Sequence, residues 1–218
     1  MTSSSDTGTR VRRRPTREQT RDRLLAAAAT VFADRGYEQT SLDEISATAG
    51  LTKGAIYSNF GSKDDLFYAL MSSQINDRLS QITNSIGAHT TFAEFSRDAG
   101  RVLSDATAGD PKWHLTFIEF WTRAMRNPKL RRDFAAHRRA ARDAIANYLE
   151  DYAARLEVTL PLPAPQLAIT LLALSNGLAI EQLLVPEQAD RSLLPDLLEA
   201  AARGGLHSHS SASQHSAG

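Results

Sequence analysis

The sequence predicts an all-α fold in which a small N-terminal bundle of three helices is joined by a long helix to a larger helical C-terminal domain. Apolar residues recur at spacings of three and four along most of the 218 residues, as on the buried face of a helix. Helix-start signals precede these segments, either Ser or Thr followed three residues later by Glu or Gln, or a Pro in the first turn. No segment shows the apolar and polar alternation of a strand.

Composition and polarity exclude several classes of protein. The formal net charge is zero and the chain contains no cysteine, which removes disulfides, thiolate catalysis and most zinc-finger sites. The polar N-terminus lacks the apolar core of a secretion signal. Polar side chains interrupt the most apolar stretch, residues 163–185, so we expect no membrane span and a cytoplasmic protein. These side chains are Gln166, Asn176, Glu181 and Gln182.

The N-terminal segment is basic and has no helical pattern. Arginines are concentrated from Arg10 to Arg23, and residues 1–15 are otherwise rich in Ser, Thr and Gly. This composition predicts a disordered arm over residues 1–15. Such an arm is able to lie along DNA phosphates or to enter a minor groove. A solvated tail has the same composition, and the sequence leaves both interpretations open.

The first helix of the N-terminal bundle, residues 16–61, is predicted to begin after Thr16 and to end at Gly36. Thr16 and Gln19 have the spacing of a capping box. A continuous apolar stripe gives this helix a supporting role. The stripe comprises Leu24, Leu25, Ala28, Val31 and Phe32.

Residues 40–60 are typical of two short helices joined by a tight turn. Ser41 and Glu44 form a second capping box. Gly50 stands where a helix end favours a left-handed residue, and Thr52 precedes the second helix. This layout matches a helix-turn-helix, whose second helix enters a DNA major groove by its N-terminal residues. An ordinary helical hairpin with a polar outer face has the same pattern.

The outer face of this helix pair carries groups of the kind that bind DNA. Phosphates are bound by cations, hydroxyls and the N–H groups at helix N-termini. Gly54 and Ala55 are small enough for the backbone to approach base edges, and Ala55 offers a methyl group to thymine. The candidate DNA-binding residues are Ser41, Thr52, Lys53, Gly54, Ala55, Tyr57, Ser58, Asn59 and Lys63.

The segment of residues 62–203 is predicted to form the C-terminal domain. Ser62 caps its first, long helix, and Asp64 and Asp65 favour the N-terminal dipole. This helix continues to about residue 87, and its tilt is a means of transmitting a signal. Residues 204–218 lack periodicity and are expected to be disordered. Five further helices are predicted over residues 91–108, 111–126, 128–157, 166–184 and 192–203.

From about Arg21 to Leu70 the sequence resembles the DNA-binding region of TetR-family transcriptional regulators, through TSLDEIS, AGLTKGAIYSNF and SKDDL. Most members have histidine where this chain has Asn59. More weakly, FWTRAMRNPKLRRDF and NGLAIEQLL resemble the C-terminal half of a subgroup typified by a choline-responsive repressor; we do not infer choline from them. The resemblance implies phosphate contacts from Thr52, Tyr57, Asn59 and Lys63. It implies base contacts from Lys53, Gly54 and Ala55.

The resemblance also implies a pocket for a small inducer among the helices after the long one. An aromatic set at helical spacing is the candidate lining, with His114, Glu119 or Arg123 as polar groups that orient the ligand. A plain hydrophobic core has the same spacing, and an aromatic stripe of this kind more often belongs to a core than to a pocket. The candidate pocket residues are Phe67, Phe95, Trp113, Phe117, Phe120 and Trp121.

The last two predicted helices are the candidate dimer interface. The helix of residues 166–184 is apolar nearly all round, so it needs partners on several sides. A two-fold four-helix bundle supplies them, and a dimer lets two helix-turn-helix units bind adjacent grooves. Burial within one subunit is the alternative. The candidate interface residues are Leu167, Leu171, Leu174, Leu178, Leu194, Leu197 and Leu198.

These patterns together predict a homodimeric, ligand-responsive transcriptional regulator. We expect a repressor that a small-molecule inducer releases from a palindromic double-stranded DNA operator. An activator, or a regulator without a small-molecule ligand, remains an alternative, and a helical protein-interaction scaffold or an enzyme is less favoured. The sequence has no Gly-rich phosphate loop, nucleophile elbow or paired metal-binding histidines in its periodic part, so we expect no catalysis, no cofactor and no metal site.

Overall fold

The computed structural model describes residues 15–85, 91–109, 111–188 and 190–208. Over these ranges the chain is all-α, as predicted, with nine α-helices and no strand. The helices are α1 Arg17–Gln39, α2 Leu42–Thr48, α3 Lys53–Phe60, α4 Lys63–Ser85, α5 Phe92–Gly109, α6 Pro111–Arg126, α7 Pro128–Arg155, α8 Ala164–Leu184 and α9 Leu193–Ser208, with a short 3-10 helix at Pro186–Gln188.

The predicted helix starts are present as capping hydrogen bonds. Thr16 Oγ1 accepts from the Gln19 N–H at 3.1 Å, and Gln19 Oε1 accepts from the Thr16 N–H at 3.0 Å. Ser41 and Glu44 make the same reciprocal pair at the start of α2, at 3.2 and 3.0 Å. Each box satisfies two backbone donors that a helix start otherwise leaves unpaired, which fixes where α1 and α2 begin.

Two helix ends differ from the sequence expectation. α1 loses helical geometry at the predicted Gly36, with φ 75° and ψ 176°, but continues to Gln39. α9 continues through Gly204 and Gly205 to Ser208, past the predicted end at Arg203. Each glycine costs roughly 1 kcal/mol inside a helix, and the extensive contact of α9 with α5 offsets this cost. Residues 1–14 and 209–218, which the sequence assigned to a disordered arm and tail, lie outside the described residues.

An aromatic core joins the N-terminal bundle to the C-terminal domain. Phe67 of α4 packs on Phe120 of α6 with ring centroids 4.5 Å apart, and Tyr37 of α1 meets Phe120 at 4.7 Å. Phe32 of α1 completes the set, 5.2 Å from Phe67. All four rings are fully buried. Hydrophobic packing therefore continues from α1 into α6 without a break at the predicted boundary after residue 61.

The joint between α1 and α6 is also polar. Glu119 of α6 accepts hydrogen bonds from two consecutive backbone N–H groups, those of Tyr37 at 2.8 Å and Glu38 at 2.7 Å. Both carboxylate oxygens are used, so the side chain caps the backbone just after the break at Gly36. Arg123, one turn later on α6, pairs with the Glu38 carboxylate at 3.0 Å. α6 is thus fixed to the end of α1 by charge-assisted hydrogen bonds as well as by rings.

A second core lies between α5, α7, α8 and α9. Phe95 of α5 stacks on Tyr152 of α7 with centroids 3.7 Å apart. α9 runs very close to α5, since a Cβ atom added to Gly100 would lie 2.6 Å from Pro195 Cα. Arg97 of α5 pairs with both Asp196 and Glu199 of α9.

The surface of α8 is apolar and largely exposed within one chain. Its most apolar window has a mean hydropathy of 1.6, and only 11% of that window is buried. By length and composition alone, α8 is the one helix in the described residues long and apolar enough to cross a membrane, a test that the core helix of a soluble protein also passes. Helices that pack between protein subunits have the same composition.

The break at Gly36 gives a stability prediction. Gly36→Ala should destabilise the fold by about 1–3 kcal/mol, because its backbone conformation is nearly confined to glycine. In addition, an added Cβ would lie 2.5 Å from Glu119 Oε2. Thermal unfolding followed by circular dichroism measures the change.

Gly177→Ala is the matched control for this substitution. Gly177 lies inside α8, and apart from its chain neighbours and the nearby backbone of α8 no atom lies within 4 Å of an added Cβ there. Alanine should therefore leave stability unchanged or raise it by about 0.5–1 kcal/mol. Equal melting temperatures for Gly36→Ala and the unsubstituted protein would contradict the account of the α1–α6 joint.

Candidate nucleic-acid interface and ligand pocket

A rigid turn sets the angle between α2 and α3. Gly50 has φ 61°, as predicted, and its N–H donates to the Ala47 carbonyl at 3.0 Å. The Leu51 N–H donates to the Ser46 carbonyl at 2.9 Å. The apolar residues that hold the two helices are Leu42, Ile45, Ala49, Ile56 and Phe60, all buried.

The N-terminal tip of α3 faces solvent. Thr52, Lys53 and Gly54 are exposed, and Tyr57 is 52% exposed. Thr52 makes no capping hydrogen bond, so its hydroxyl and the first N–H groups of α3 are available to an external acceptor. Outside the backbone of α3 and the chain neighbours of Gly54, the nearest atom to a Cβ added at Gly54 is Thr52 Oγ1 at 3.7 Å, an ordinary contact, so this position is not crowded. This tip therefore has the size and the donors that a groove of DNA requires.

Lys53 is held by an acidic neighbour. Its Nζ lies 2.8 Å from Asp43 Oδ2 of α2, and both side chains are largely exposed. The hydrogen bond to Asp43 raises the pKa of Lys53, so the ammonium stays charged across the physiological range. An exposed ion pair contributes little to stability, so the lysine is free to exchange this carboxylate for DNA at small cost.

Lys63 is turned towards the joint between the domains. Its Nζ donates to the Glu38 carbonyl at 3.3 Å and lies 4.5 Å from the centre of the Tyr37 ring. Burial lowers the pKa of Lys63. Phosphate contact from Lys63 stays a prediction, and it requires the side chain to leave this position.

Three other candidate residues use their polar atoms within the protein. Asn59 Nδ2 and Ser58 Oγ both donate to the Ala55 carbonyl, at 2.7 and 3.1 Å. The Ser41 hydroxyl belongs to the capping box of α2. The backbone N–H groups and exposed side chains at the tip of α3 are therefore the better-placed donors.

Arg21 and Arg23, the last two arginines of the basic N-terminal cluster, contact the helix-turn-helix. Arg23 Nη2 donates to the Ala49 carbonyl at 2.6 Å and so caps the end of α2. The Arg21 guanidinium lies 4.7 Å from the centre of the Phe60 ring of α3. Both contacts depend on how α1 crosses the two short helices, which composition does not show.

A cavity of about 710 Å³ lies between α6, α7 and α8. This volume is in the range of small-molecule sites. Of the six aromatic residues proposed as pocket lining, Phe117 and Trp121 border it, and the proposed polar residue His114 also does. The remaining apolar wall comes mainly from Ile118, Met125, Phe134, Ile169 and Ile180.

The other proposed pocket residues lie elsewhere. Phe67 and Phe120 belong to the fully buried core between the domains, and Phe95 belongs to the second core. Trp113 lines smaller neighbouring hollows. Glu119 and Arg123 face α1 instead of the cavity, as described above.

Sequence analysis missed the cavity's cationic wall. Arg131, Arg138 and Arg142 of α7 line it, at intervals of seven and four that place them on one helix face. The Arg138 guanidinium lies 5.3 Å from the Trp121 ring centre. Burial, followed by the charge of Arg142, lowers the pKa of Arg138. Arginines on a long helix usually lie on its solvated face. The one sequence signal for a position at the cavity is their helical spacing with Phe134 and Ala135, which places all five residues on the same face.

The proposed dimer-interface leucines are in varied environments. Leu194 is 2% exposed and packs with α9 against α5, so its burial needs no second copy. Leu197 is 44% exposed. The remaining residues are half-buried, with Leu167 and Leu171 against the second core and Leu174, Leu178 and Leu198 beside them. Exposed apolar side chains next to these positions include Ile169, Ile180, Leu184 and Leu193.

Comparison with known proteins agrees with this architecture. The family model of bacterial regulatory proteins of the tetR family matches residues 24–70, which contain the helix-turn-helix. A curated relative, the HTH-type transcriptional activator FasR of Mycolicibacterium smegmatis, is 30% identical over 112 residues, covering 51% of this chain and 51% of that protein. The chain thus spans about half the length of the curated relatives it first matches.

Solved structures share the whole fold. The fatty acid degradation regulator FadR from Bacillus halodurans has a TM-score of 0.65 at 18% identity, with 89% of this chain and 98% of that chain covered. FadR from Bacillus subtilis, solved in complex with stearoyl-CoA, has a TM-score of 0.62 at 17% identity, with 84% and 98% covered.

The C-terminal domain provides the most extensive match. The model of the BetI-type transcriptional repressor C-terminal domain matches residues 95–207, more than half of the 218 residues. This region contains α5 to α9, with both the cavity and the exposed surface of α8. The chain therefore belongs to the tetR family of bacterial regulatory proteins and carries a BetI-type C-terminal domain.

Proposed function

We propose that this protein is a homodimeric transcriptional regulator that binds a palindromic DNA operator through α3 and releases it when a small molecule occupies the cavity between α6, α7 and α8. The observation that carries this proposal is the solvent-facing tip of α3, where small residues and unpaired donors follow a rigid turn. We favour repression because the C-terminal family model is that of a repressor. Activation is the second candidate, because the relative FasR is named an activator.

DNA binding by one helix-turn-helix covers too few base pairs for specificity. Two copies of α3 about 34 Å apart would meet successive major grooves on one side of the duplex. The N–H groups at the start of α3, with Thr52 and Tyr57, are suited to phosphates. Lys53, Gly54 and Ala55 are suited to base edges. In a bacterium this DNA lies in the cytoplasm, which is where we place the protein.

The exposed apolar faces of α8 and α9 support a dimer. Leu184, Leu193 and Leu197 each expose more than two-fifths of their surface in the single chain. Pairing α8 and α9 with the same helices of a second copy would bury these faces in a four-helix bundle.

Helix α6 is suited to couple the cavity to the DNA-binding unit. On one side, Phe117 and Trp121 border the cavity. On the other, Glu119 and Arg123 bind the end of α1, and Phe120 packs between α1 and α4. A ligand that displaces α6 would thus tilt α1 and α4 together, changing the spacing of the two α3 tips. A coupling of roughly 1–3 kcal/mol gives a 5- to 150-fold change in operator affinity.

DNA binding is tested with the protein's own upstream DNA and substitutions in α3. Tyr57→Phe should weaken binding to all sequences alike, by about tenfold, because it removes a phosphate donor. Lys53→Ala should also change base preference. Gel shifts and selection from random duplexes measure both effects.

Lys129→Ala is the control, because Lys129 is an exposed lysine on α7, outside the helix-turn-helix. It should leave operator affinity unchanged. Unaltered base preference in Lys53→Ala would show that another residue contacts the bases, and no DNA binding at low ionic strength would overturn the proposed function.

The dimer is tested by Leu197→Asp, which places a charge on the exposed face of α9. We expect a monomer at micromolar concentration by light scattering, with operator affinity reduced at least about tenfold, because a lone helix-turn-helix lacks the second half-site. Leu115→Asp on α6 is the control, since Leu115 is also exposed. A monomeric unsubstituted protein would contradict the proposal.

The role of α6 is tested by Glu119→Gln. Glutamine keeps one acceptor but presents an NH2 group to a backbone donor, so hydrogen exchange at the Tyr37 and Glu38 amides should rise, with weaker operator binding. Glu199→Gln removes a paired carboxylate on α9 and should leave those two amides unchanged. Equal exchange in Glu119→Gln and the unsubstituted protein would argue against coupling through this joint.

A further inference from the structure

The walls of the 710 Å³ cavity differ in charge and polarity. The α8 side is apolar at Ile169, Ala173 and Ile180, whereas the α7 side carries Arg131, Arg138 and Arg142. None of the described residues that line it is Asp or Glu. An apolar volume with one cationic wall is suited to a molecule that combines an apolar body with a negative charge.

The three arginines have no acidic partner among the described residues. None of them forms an ion pair, in contrast with Arg97, Arg101 and Arg123 elsewhere in the fold. Arg138 is half-buried, and its neighbour Arg142 adds positive charge instead of relieving it. Burying like charges together without a counterion is costly. A bound anion would remove this cost.

Asn176 adds a neutral donor at the same place. Its Nδ2 is buried and makes no hydrogen bond with any described residue. Asn176 and Arg138 both line the main cavity and also a smaller hollow of about 60 Å³ beside it. An unpaired buried amide donor costs about 1–3 kcal/mol, so an acceptor from the ligand is expected there.

A cationic ligand fits poorly. Quaternary ammonium compounds are bound by open aromatic faces. Here the Arg138 guanidinium already lies over Trp121 and 6.0 Å from the Phe117 ring centre. A second cation would meet an occupied face and three positive charges.

We propose that the ligand of this cavity is an amphipathic anion, whose carboxylate or phosphate head group binds Arg138, Arg142 and Asn176 and whose apolar chain lies along α8. This proposal rests on the proposed function, because it names the chemical class of the small molecule that would release the operator. Arg131 is exposed and lines the cavity, so it provides a positive charge where the anion enters.

Four compounds that share a dodecyl chain and differ in head group test this class: dodecanoate, dodecyl phosphate, dodecanol and dodecyltrimethylammonium. Binding to the full chain without DNA is measured by calorimetry and tryptophan fluorescence, below micellar concentrations. Both anions should bind saturably, dodecanol at least about tenfold more weakly, and the cation not detectably. The better anion identifies the head group as carboxylate or phosphate.

Substitutions locate the head group. Arg138→Gln and Arg142→Gln should each reduce the preference for anion over dodecanol by about tenfold or more. Arg139→Gln is the matched control, because Arg139 is exposed on the same helix and does not line the cavity. It should leave the preference unchanged. Having two separate arginine variants keeps the test valid if one of them fails to fold.

Several results would overturn the proposal: binding of none of the four compounds, equal or stronger binding of the cation, or an anion preference that survives both arginine substitutions. Gel shifts on the operator are scored separately. Anion binding without operator release would uphold the ligand class and contradict the inducer role. Operator binding without anion binding would contradict the ligand class and leave the proposed DNA binding intact.

Discussion

The contact among Tyr37, Phe67 and Phe120 is the interaction on which the rest of the structure depends. It brings α1, α4 and α6 to one point, with every ring fully buried and centroids within about 5 Å of each other. Because packed cores are not continuously deformable, we expect the DNA-binding unit and the cavity wall to shift together. Helix α6 belongs both to this aromatic contact and to the cavity wall. In the function proposed above, ligand binding and DNA binding therefore act on the same packing of α6.

Charge is distributed unevenly between the cavity wall, the tip of α3 and the rest of the protein. The zero net charge of the whole chain conceals a cationic cavity wall on α7 and a donor-rich tip on α3. Elsewhere, some charges are paired across helix contacts, as in Lys112 with Asp34 and Arg97 with Glu199. We interpret these two surfaces, the cavity wall and the tip of α3, as the candidate functional sites.

Local signals made most of the fold predictable from the sequence. Capping boxes at Thr16 and Ser41 and the glycine at position 50 act over a few residues, and the helix-turn-helix follows from them. The cavity was only half predictable. Phe117 and Phe120 lie three apart on one helix and belong to the same core, yet only Phe117 also borders the cavity. That difference depends on the rotation of α6 between its neighbours, and the position of Arg138 depends on the same helix, because its guanidinium lies over the Trp121 ring of α6.

The incomplete burial of α8 has a genetic consequence. If each copy hides its apolar helix only against another copy, protomers made in the same cell will mix as they associate. A protomer with intact α8 and α9 but a damaged α3 tip would enter pairs with normal protomers, and each mixed pair would present one usable tip to a two-fold site. Alleles that damage the tip would then be dominant, whereas alleles that abolish pairing would be recessive.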